Sequence, residues 1–377
     1  MKVISILGTR PEIIRTSRIL PKLDALCDHT IIHTAQNFTH NTKDLFFEEL
    51  GLRQPDITFY TSMNDGNTHT EFGLGQQLAD MFPQVEKAFK DIKPDRVFIL
   101  GDTNSALCAI MAERMGIPVG HMESSNRSYN NKIPEEVNRR LLDHICSRNL
   151  FYTPTNRHTL LMEGHDPRKI FQCGNPTLEV LTYYKDKINQ SRILWDLGLM
   201  PHEWPGVVDP PIPYFLVDIH RSENVSNIDK LDGILEGINL IAEHFGYPVI
   251  CSVHPKTRDK LKTCRTVVHE KVKLLDAFGF FDFVKLEKHA RVGLTDSGLC
   301  SEEYNLLRVP CVIVRNETER PEVVEAGGAI ISGIDPNNII RCTEIMDRLQ
   351  HRTWETPQGY EYLDVSDRVV NYMLSEW

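Results

Sequence analysis

The sequence predicts an α/β protein built from two doubly wound, mostly parallel sheets. Three observations carry this. Short apolar runs of β-branched character alternate with helical stretches through the first half, joined by short connections, as parallel sheets require. A second series of the same kind begins at Tyr214. The third observation is size. At 377 residues with 41 % hydrophobic and 25 % charged content, the chain is ample for two domains.

In the first half, Val3–Leu7 reads as a buried strand and Gly8-Thr9-Arg10-Pro11-Glu12 as the turn into a helix spanning Ile13–Leu20. Free amides at that helix start favour an anion, and Arg10 and Arg15 reinforce the reading, unless both are solvated helix-end charges. Thr30–Thr34 is the next strand, Asp44–Leu50 a helix stopped by Gly51, and about Gly75–Phe89 a helix kinked or broken at Pro83. Arg96–Leu100 is a strand, Ala106–Met115 a helix, Pro118–Met122 a strand, and Pro134 opens a further helix. Asn149–Tyr152 and Ile170–Gln172 complete the set, with Thr159–Glu163 helical between them. Gly174-Asn175-Pro176 reads as the hinge. Domains are expected at 1–173 and 174–361, with a last helix in 362–377 returning to the first. The proline-rich segment from Leu199 to Pro213 reads as a surface loop, and strands are expected at Tyr214–Ile219, Val249–Val253, Val272–Leu275, Val292–Thr295, Cys311–Val314 and Ala329–Ile331. Both halves are therefore Rossmann-like.

The chemistry concentrates at strand ends, where open α/β sheets place their sites. Asp102 follows one strand, Glu123 another, and Glu135 lies in the first turn of the helix opened by Pro134. Asp102 could simply cap a helix. Glu135 and Glu136 could offset the helix dipole and pair with Arg139 and Arg140 at i,i+4 spacing. Glu123 is harder to dismiss, because a carboxylate beside a buried strand is costly unless paired or functional. Taken together, the three point to acid–base work or to a metal. In the second half, His220-Arg221, Asp296-Ser297-Gly298 with Glu302 and Glu303, and Arg315 through Glu322 follow strands. Ser297 and Gly298 at a helix start suit a diphosphate, and Glu303 a ribose hydroxyl, unless Glu302 and Glu303 are a solvated face. Phe283 is either core or a stacking platform for a base. Arg221 beside His220 is expected to disfavour the charged imidazole.

Composition excludes other classes. Lys+Arg total 42 against 52 Asp+Glu, a net charge of −10, which argues against nucleic-acid or anionic-membrane binding. No apolar run is long enough to span a bilayer. Met1 enters a strand directly, so no signal peptide is expected and the protein reads as cytoplasmic. Nine cysteines, with no CxxC pair, read as reduced core residues. His29 and His33 lie along a strand, about 13 Å apart over four residues, too far to share an ion. No other His/Cys set has ligand spacing, so no metal is expected.

The ordered set Gly8-Thr9-Arg10-Pro11-Glu12, Gly101-Asp102-Thr103, His121-Met122-Glu123, Pro134-Glu135-Glu136 with Asn138-Arg139, Gly174-Asn175, His220-Arg221 with Glu223-Asn224, Asp296-Ser297-Gly298 with Glu302-Glu303, and Glu319-Arg320-Pro321-Glu322 resembles the non-hydrolysing UDP-N-acetylglucosamine 2-epimerase family across nearly the whole chain. Glu12-Ile13-Ile14-Arg15, Phe46 through Gly51, Gly101 through Ser105, Asp143-His144 and His254 through Arg258 resemble the branch making UDP-N-acetyl-L-fucosamine and related UDP-6-deoxy-L-N-acetylhexosamines. The resemblance implies two Rossmann-like domains facing a central cleft in the glycosyltransferase-B manner, a homodimer, a UDP-sugar substrate and no cofactor. It also implies inversion at carbon 2 by eliminating UDP to a glycal and adding it back.

By the same resemblance Asp102, Glu123 and Glu135 are acid–base residues, with His220 near the leaving diphosphate. Arg10, Ser297 and Gly298 hold the diphosphate, Glu303 the ribose and Phe283 the uracil, while Arg15, Arg139 and Arg320 belong to the substrate site. The expected substrate is a UDP-2-acetamido-2,6-dideoxy-L-hexose, the alternative being epimerisation of UDP-N-acetylglucosamine to UDP-N-acetylmannosamine. A hydrolysing epimerase, a glycosyltransferase and a non-catalytic nucleotide-sugar binder are the other classes. Three positions depart from the family pattern. Ser124-Ser125 replaces Ala-Gly, Leu299 replaces a second Gly, and Asn37 stands where many members have His.

Overall fold

The computed structural model describes residues 1–36, 44–62, 73–201, 210–349 and 353–377, apart from the side chain of Lys256. Asn37, and Pro205 in the proline-rich loop, lie outside these residues. The chain forms two compact units, Met1–Thr182 with Gln358–Trp377, and Tyr183–Pro357.

The first unit contains strands β1 (Lys2–Leu7), β2 (Asp28–His33), β3 (Ile57–Thr58), β4 (Arg96–Leu100), β5 (Val119–Met122), β6 (Arg148–Phe151) and β7 (Ile170–Gln172). They make one sheet of order β3-β2-β1-β4-β5-β6-β7, in which each neighbouring pair is parallel. Alternation along the strands feeds two separate cores. Ile4, Ile6, Val97, Ile99 and Val119 pack with Met81, Val85 and Phe89 of the helix Leu74–Ile92 and with Ala109 and Ala112. Val3, Phe98, Leu100, Met122 and Leu150 pack instead with Leu23 and with Val365, Val369, Val370 and Met373 of the C-terminal helix Val365–Leu374. That helix is tied down further by Ser366 N on Glu179 (2.8 Å) and by a Lys22–Asp367 pair (2.6 Å). The last helix thus completes one face of the first sheet. The expected hinge residue Asn175 lies inside this unit, its amide on Gly359 O at 2.8 Å.

The second unit contains β8 (Phe215–Asp218), β9 (Val249–Val253), β10 (Val272–Asp276), β11 (Val292–Thr295), β12 (Cys311–Ile313) and β13 (Ala329–Ile331). Their order is β10-β9-β8-β11-β12-β13, all parallel. The helix Ile228–Phe245 presents Leu231, Ile234, Leu235, Ile238 and Ile241 to this sheet beside Ile339, Cys342 and Met346 of Pro336–Asp347.

Three local expectations change. The helix Leu74–Ile92 continues through Pro83, because burial of its apolar stripe offsets the one hydrogen bond that proline removes. The first helix stops at Thr16 and a second begins at Leu20, since Pro21 is tolerated in a first turn and not in a helix interior. The helix expected at Ala106 opens as a 3₁₀ turn over Asn104–Leu107 and becomes α-helical at Cys108. All nine cysteines are unpaired, seven of them buried. Among the described residues no helix is long and apolar enough to cross a membrane.

Gly359 has φ of +94°, and a Cβ there would stand 2.2 Å from Tyr152 O. Gly51, with φ of +66°, has nothing within 4 Å. Gly51→Ala is expected to cost about 1 kcal/mol from left-handed strain alone. Gly359→Ala adds a clash with backbone and is expected to cost at least about 3 kcal/mol. Chemical denaturation of both variants checks this, and equal losses would contradict the close packing around Gly359.

Candidate active site

In the first unit the charged groups gather after β1, β4 and β5 and at the start of the helix Pro134–Ile145. After β1, the helix Arg10–Thr16 is closed by a capping box. Glu12 Oε2 accepts the amides of Gly8 (2.5 Å) and Thr9 (3.0 Å), and its Oε1 accepts the Thr103 hydroxyl (2.6 Å). The amides that the sequence offered to an external anion are therefore taken by the chain's own carboxylate. Glu12 is 2 % exposed. Burial pushes its carboxyl up to about 7, with Asp102 adding to the rise and the three hydrogen bonds opposing it. Sequence reasoning placed Glu12 in a motif but gave it no role; its spacing of three from Thr9 is the capping-box signal that could have found it.

Arg15 is buried and donates to Glu123 Oε2, which also accepts the Tyr152 hydroxyl at 3.3 Å. Arg15 is thus the ion-pair partner of a candidate acid–base residue, and neither a solvated helix end nor part of an open anion site. Arg10 lies partly exposed with its guanidinium 5.7 Å from the Phe46 ring centre. Glu123 (φ +69°) and Ser125 (φ +73°) both hold left-handed backbone. At Ser125 the left-handed backbone is kept by a side chain bonded into place. Its amide donates to Asp143 Oδ2 (2.9 Å) and its hydroxyl to Asn156 O (2.6 Å). Asp143 is fully buried between His121 Nδ1 (3.2 Å) and Arg127 Nη2 (2.7 Å), while His121 Nε2 bonds Gly101 O (2.8 Å). This network joins the turns after β4 and β5.

Asp102 is not a helix cap. Its carboxylate pairs with Arg139 through both Nε (3.0 Å) and Nη2, and its carbonyl accepts Asn138 Nδ2 at 3.0 Å. Arg139 also donates to Glu136 Oε2 (2.7 Å), which accepts Ser128 N (2.8 Å), while Glu136 Oε1 accepts Arg140 Nε (3.0 Å). Glu136 is a buried anchor. Glu135, beside it in the first turn, is only partly buried.

In the second unit, Asp296 follows β11 and is 1 % exposed. It accepts the amides of His220 (3.0 Å) and Arg221 (3.0 Å) and Asn224 Nδ2 (2.9 Å). Burial raises its carboxyl, against the opposing pull of His220 and of those amides. His220 Nδ1 stands 3.2 Å from Asp218 Oδ2 and 3.8 Å from Asp296 Oδ1, while Arg221 extends to Glu319 at 2.9 Å. The charges facing this imidazole include two carboxylates.

Ser297 caps the helix Gly298–Leu307. A Cβ on Gly298 would lie 2.9 Å from Glu319 Oε1, so this start of the helix is packed against a carboxylate that is itself held by Arg315 (2.7 Å). Glu302 and Glu303 are both buried, at 0 % and 2 % exposure, which removes the solvated-face reading. Arg320 pairs with Glu302 and donates to Glu319 O at 3.2 Å. Phe283, on Phe280–His289, is 7 % exposed, and Leu299 is 6 % exposed.

Glu12 yields a pH prediction. A carboxyl near 7 in the fold and near 4.5 unfolded gives stability that is complete below pH 4.5 and is lost as pH rises through 7. The loss is at most about 3 kcal/mol. Glu12→Gln mimics the protonated form and keeps the geometry, so its stability relative to the parent is expected to improve between pH 5 and 8. Denaturation at several pH values checks this; parallel profiles would refute the assignment.

Residues 22–374 match the family described as UDP-N-acetylglucosamine 2-epimerase. The chain is 38 % identical over 369 residues, covering 95 % of each protein, to the UDP-N-acetylglucosamine 2-epimerase of Methanocaldococcus jannaschii. It is 29 % identical, over 99 % of each, to the UDP-2,3-diacetamido-2,3-dideoxy-D-glucuronate 2-epimerase of Pseudomonas aeruginosa. The crystal structure of the M. jannaschii enzyme in complex with UDP-GlcNAc and UDP superposes with a TM-score of 0.88 at 36 % identity, covering 99 % of both chains. With two parallel-sheet units of this kind and a match along nearly its whole length, the chain belongs to the UDP-N-acetylglucosamine 2-epimerase family of isomerases.

Proposed function

We propose that this protein is a non-hydrolysing epimerase that converts UDP-N-acetylglucosamine to UDP-N-acetylmannosamine, acting as a cytoplasmic homodimer without a cofactor. The observation that carries the substrate is the 38 % identity over 95 % of both chains to a relative whose name specifies UDP-N-acetylglucosamine. This reverses the order expected from sequence, where a 6-deoxy-L sugar came first. That second reading keeps the support of the branch motifs Glu12-Ile13-Ile14-Arg15 and His254-Pro255-Lys256-Thr257-Arg258.

Carbon 2 of an N-acetylhexosamine is not next to a carbonyl, so its proton is not acidic. Elimination solves this. A carboxylate takes the proton from carbon 2 as the bond from carbon 1 to the UDP oxygen breaks, leaving a glycal and free UDP. Protonation of carbon 2 from the opposite face and return of UDP to carbon 1 complete the inversion. Such a reaction needs acids and bases around the sugar and cations on the departing diphosphate. In this reading Asp102, Glu123 and Glu135 do the proton transfers, Arg15 and Tyr152 orient Glu123, and Arg139 orients Asp102. His220, Arg10, Ser297 and Gly298 serve the diphosphate, Glu303 the ribose and Phe283 the uracil, with Arg320 bracing the helix that carries Glu303.

Glu135→Gln is expected to lower turnover about 100-fold or more, the scale of a lost general acid or base, with UDP affinity and melting temperature close to the parent. Glu123→Gln is expected to lose turnover similarly and stability as well, by about 3 kcal/mol, because it removes the carboxylate paired with buried Arg15. Steady-state kinetics, UDP titration and thermal unfolding separate the two; a fall in UDP affinity for Glu135→Gln would refute its role.

Turnover in heavy water tests the reaction and the substrate together. Deuterium at carbon 2 without accumulation of free UDP is expected, with higher kcat/KM for UDP-N-acetylglucosamine than for UDP-2-acetamido-2,6-dideoxy-L-hexoses. A site that hydrogen-bonds the carbon-6 hydroxyl rejects the methyl strongly. The reverse preference would restore the 6-deoxy-L reading and leave the epimerase intact.

A further inference from the structure

Two groups of three potential ligand side chains come together among the described residues. One, Glu287, Cys300 and Glu303, is buried and includes a residue of the proposed nucleotide site. The other is not absorbed by that function. His144 ends the helix Pro134–Ile145, while Glu163 and His165 follow the helix Pro154–Met162. Twenty-one positions separate His144 from His165 in the chain, yet their rings stack with centres 4.6 Å apart. One ligand atom from each of the three residues lies within 4.8 Å of the other two, and His144 Nε2 is 3.8 Å from Glu163 Oε2.

We propose that His144, Glu163 and His165 form a divalent metal site of zinc type, apart from the acid–base carboxylates. Two imidazoles and a carboxylate are a zinc donor set, with a fourth position left for water. Tetrahedral zinc brings its ligand atoms to about 3.3 Å from one another, so the group must close by up to about 1.5 Å. The residue that has to swing is the one able to do so, since the His144 side chain is 53 % exposed. His165 stays put. Its Nε2 is buried without a hydrogen-bond partner. Glu163 receives Arg127 Nε at 3.0 Å and Nη2 at 2.5 Å, one donor per oxygen, which leaves a lone pair on each. A bound ion would clip the helix carrying Glu135 to the segment leading into β7.

The test is calorimetric titration of zinc chloride into the full chain, prepared without affinity-tag histidines and stripped with chelator. The parent is expected to bind one equivalent saturably and to gain melting temperature. His144→Ala, at an exposed position, is expected to bind at least about tenfold more weakly, and His165→Gln likewise. His158→Ala, an exposed histidine on the neighbouring helix face, is expected to bind as the parent does. Absence of saturable binding overturns the proposal. So does His144→Ala binding as tightly as the parent, or His158→Ala weakening binding to the same degree.

Discussion

Burial of both faces of a parallel sheet is the constraint on which this molecule depends. In the first unit Ile4 and Ile6 face one helix layer and Val3 the other, so no position along β1 is left for chemistry in its middle. The polar groups are driven to the carboxyl ends of the strands, where the chain turns out of the sheet. Gly8, Asp102, Glu123 and, in the second unit, His220 and Asp296 all stand there. The last helix belongs to the same constraint. Without Val365, Val369, Val370 and Met373 the face lined by Val3, Phe98 and Leu150 would be covered only in part, by Ile19 and Leu23, so the chain crosses back to close it.

Placing charges at those ends exacts a second requirement, that each buried one be held. The first unit meets it with a chain of pairs. Arg15 takes Glu123, Arg139 bridges Asp102 and Glu136, and Arg127 bridges Asp143 and Glu163. The second unit does so with Arg320 on Glu302 and Arg315 on Glu319. Groups held in this way have restricted orientations before any ligand arrives, and preorganised charge is what makes electrostatic catalysis effective in a dry site. Left-handed backbone at Glu123 and Ser125 is part of the same arrangement. The strain, about 1 kcal/mol or more per residue, persists because Asp143 and Asn156 hold Ser125 from both its amide and its hydroxyl.

The sequence by itself determined the strands, all but the two-residue β3, the parallel winding of both units and the motif-bearing turns, because these depend on local apolar runs, on Gly and Pro, and on residues close in the chain. It also located Asp102, Glu123 and Glu135 at the right strand and helix ends. The tertiary structure alone decided what each charge faces. Arg15 meets Glu123 across 108 positions, His220 looks toward Asp218 and Asp296 instead of its neighbour Arg221, and Glu12 closes on Thr103. His144, Glu163 and His165 have no ligand spacing in sequence and meet only because one helix ends beside the start of another segment. The physical reason is common to all four. Hydrophobic periodicity is a one-dimensional signal that survives in the sequence, whereas an ion pair or a ligand cluster depends on how the strands order themselves in the sheet, and that order is set by packing between elements far apart in the chain.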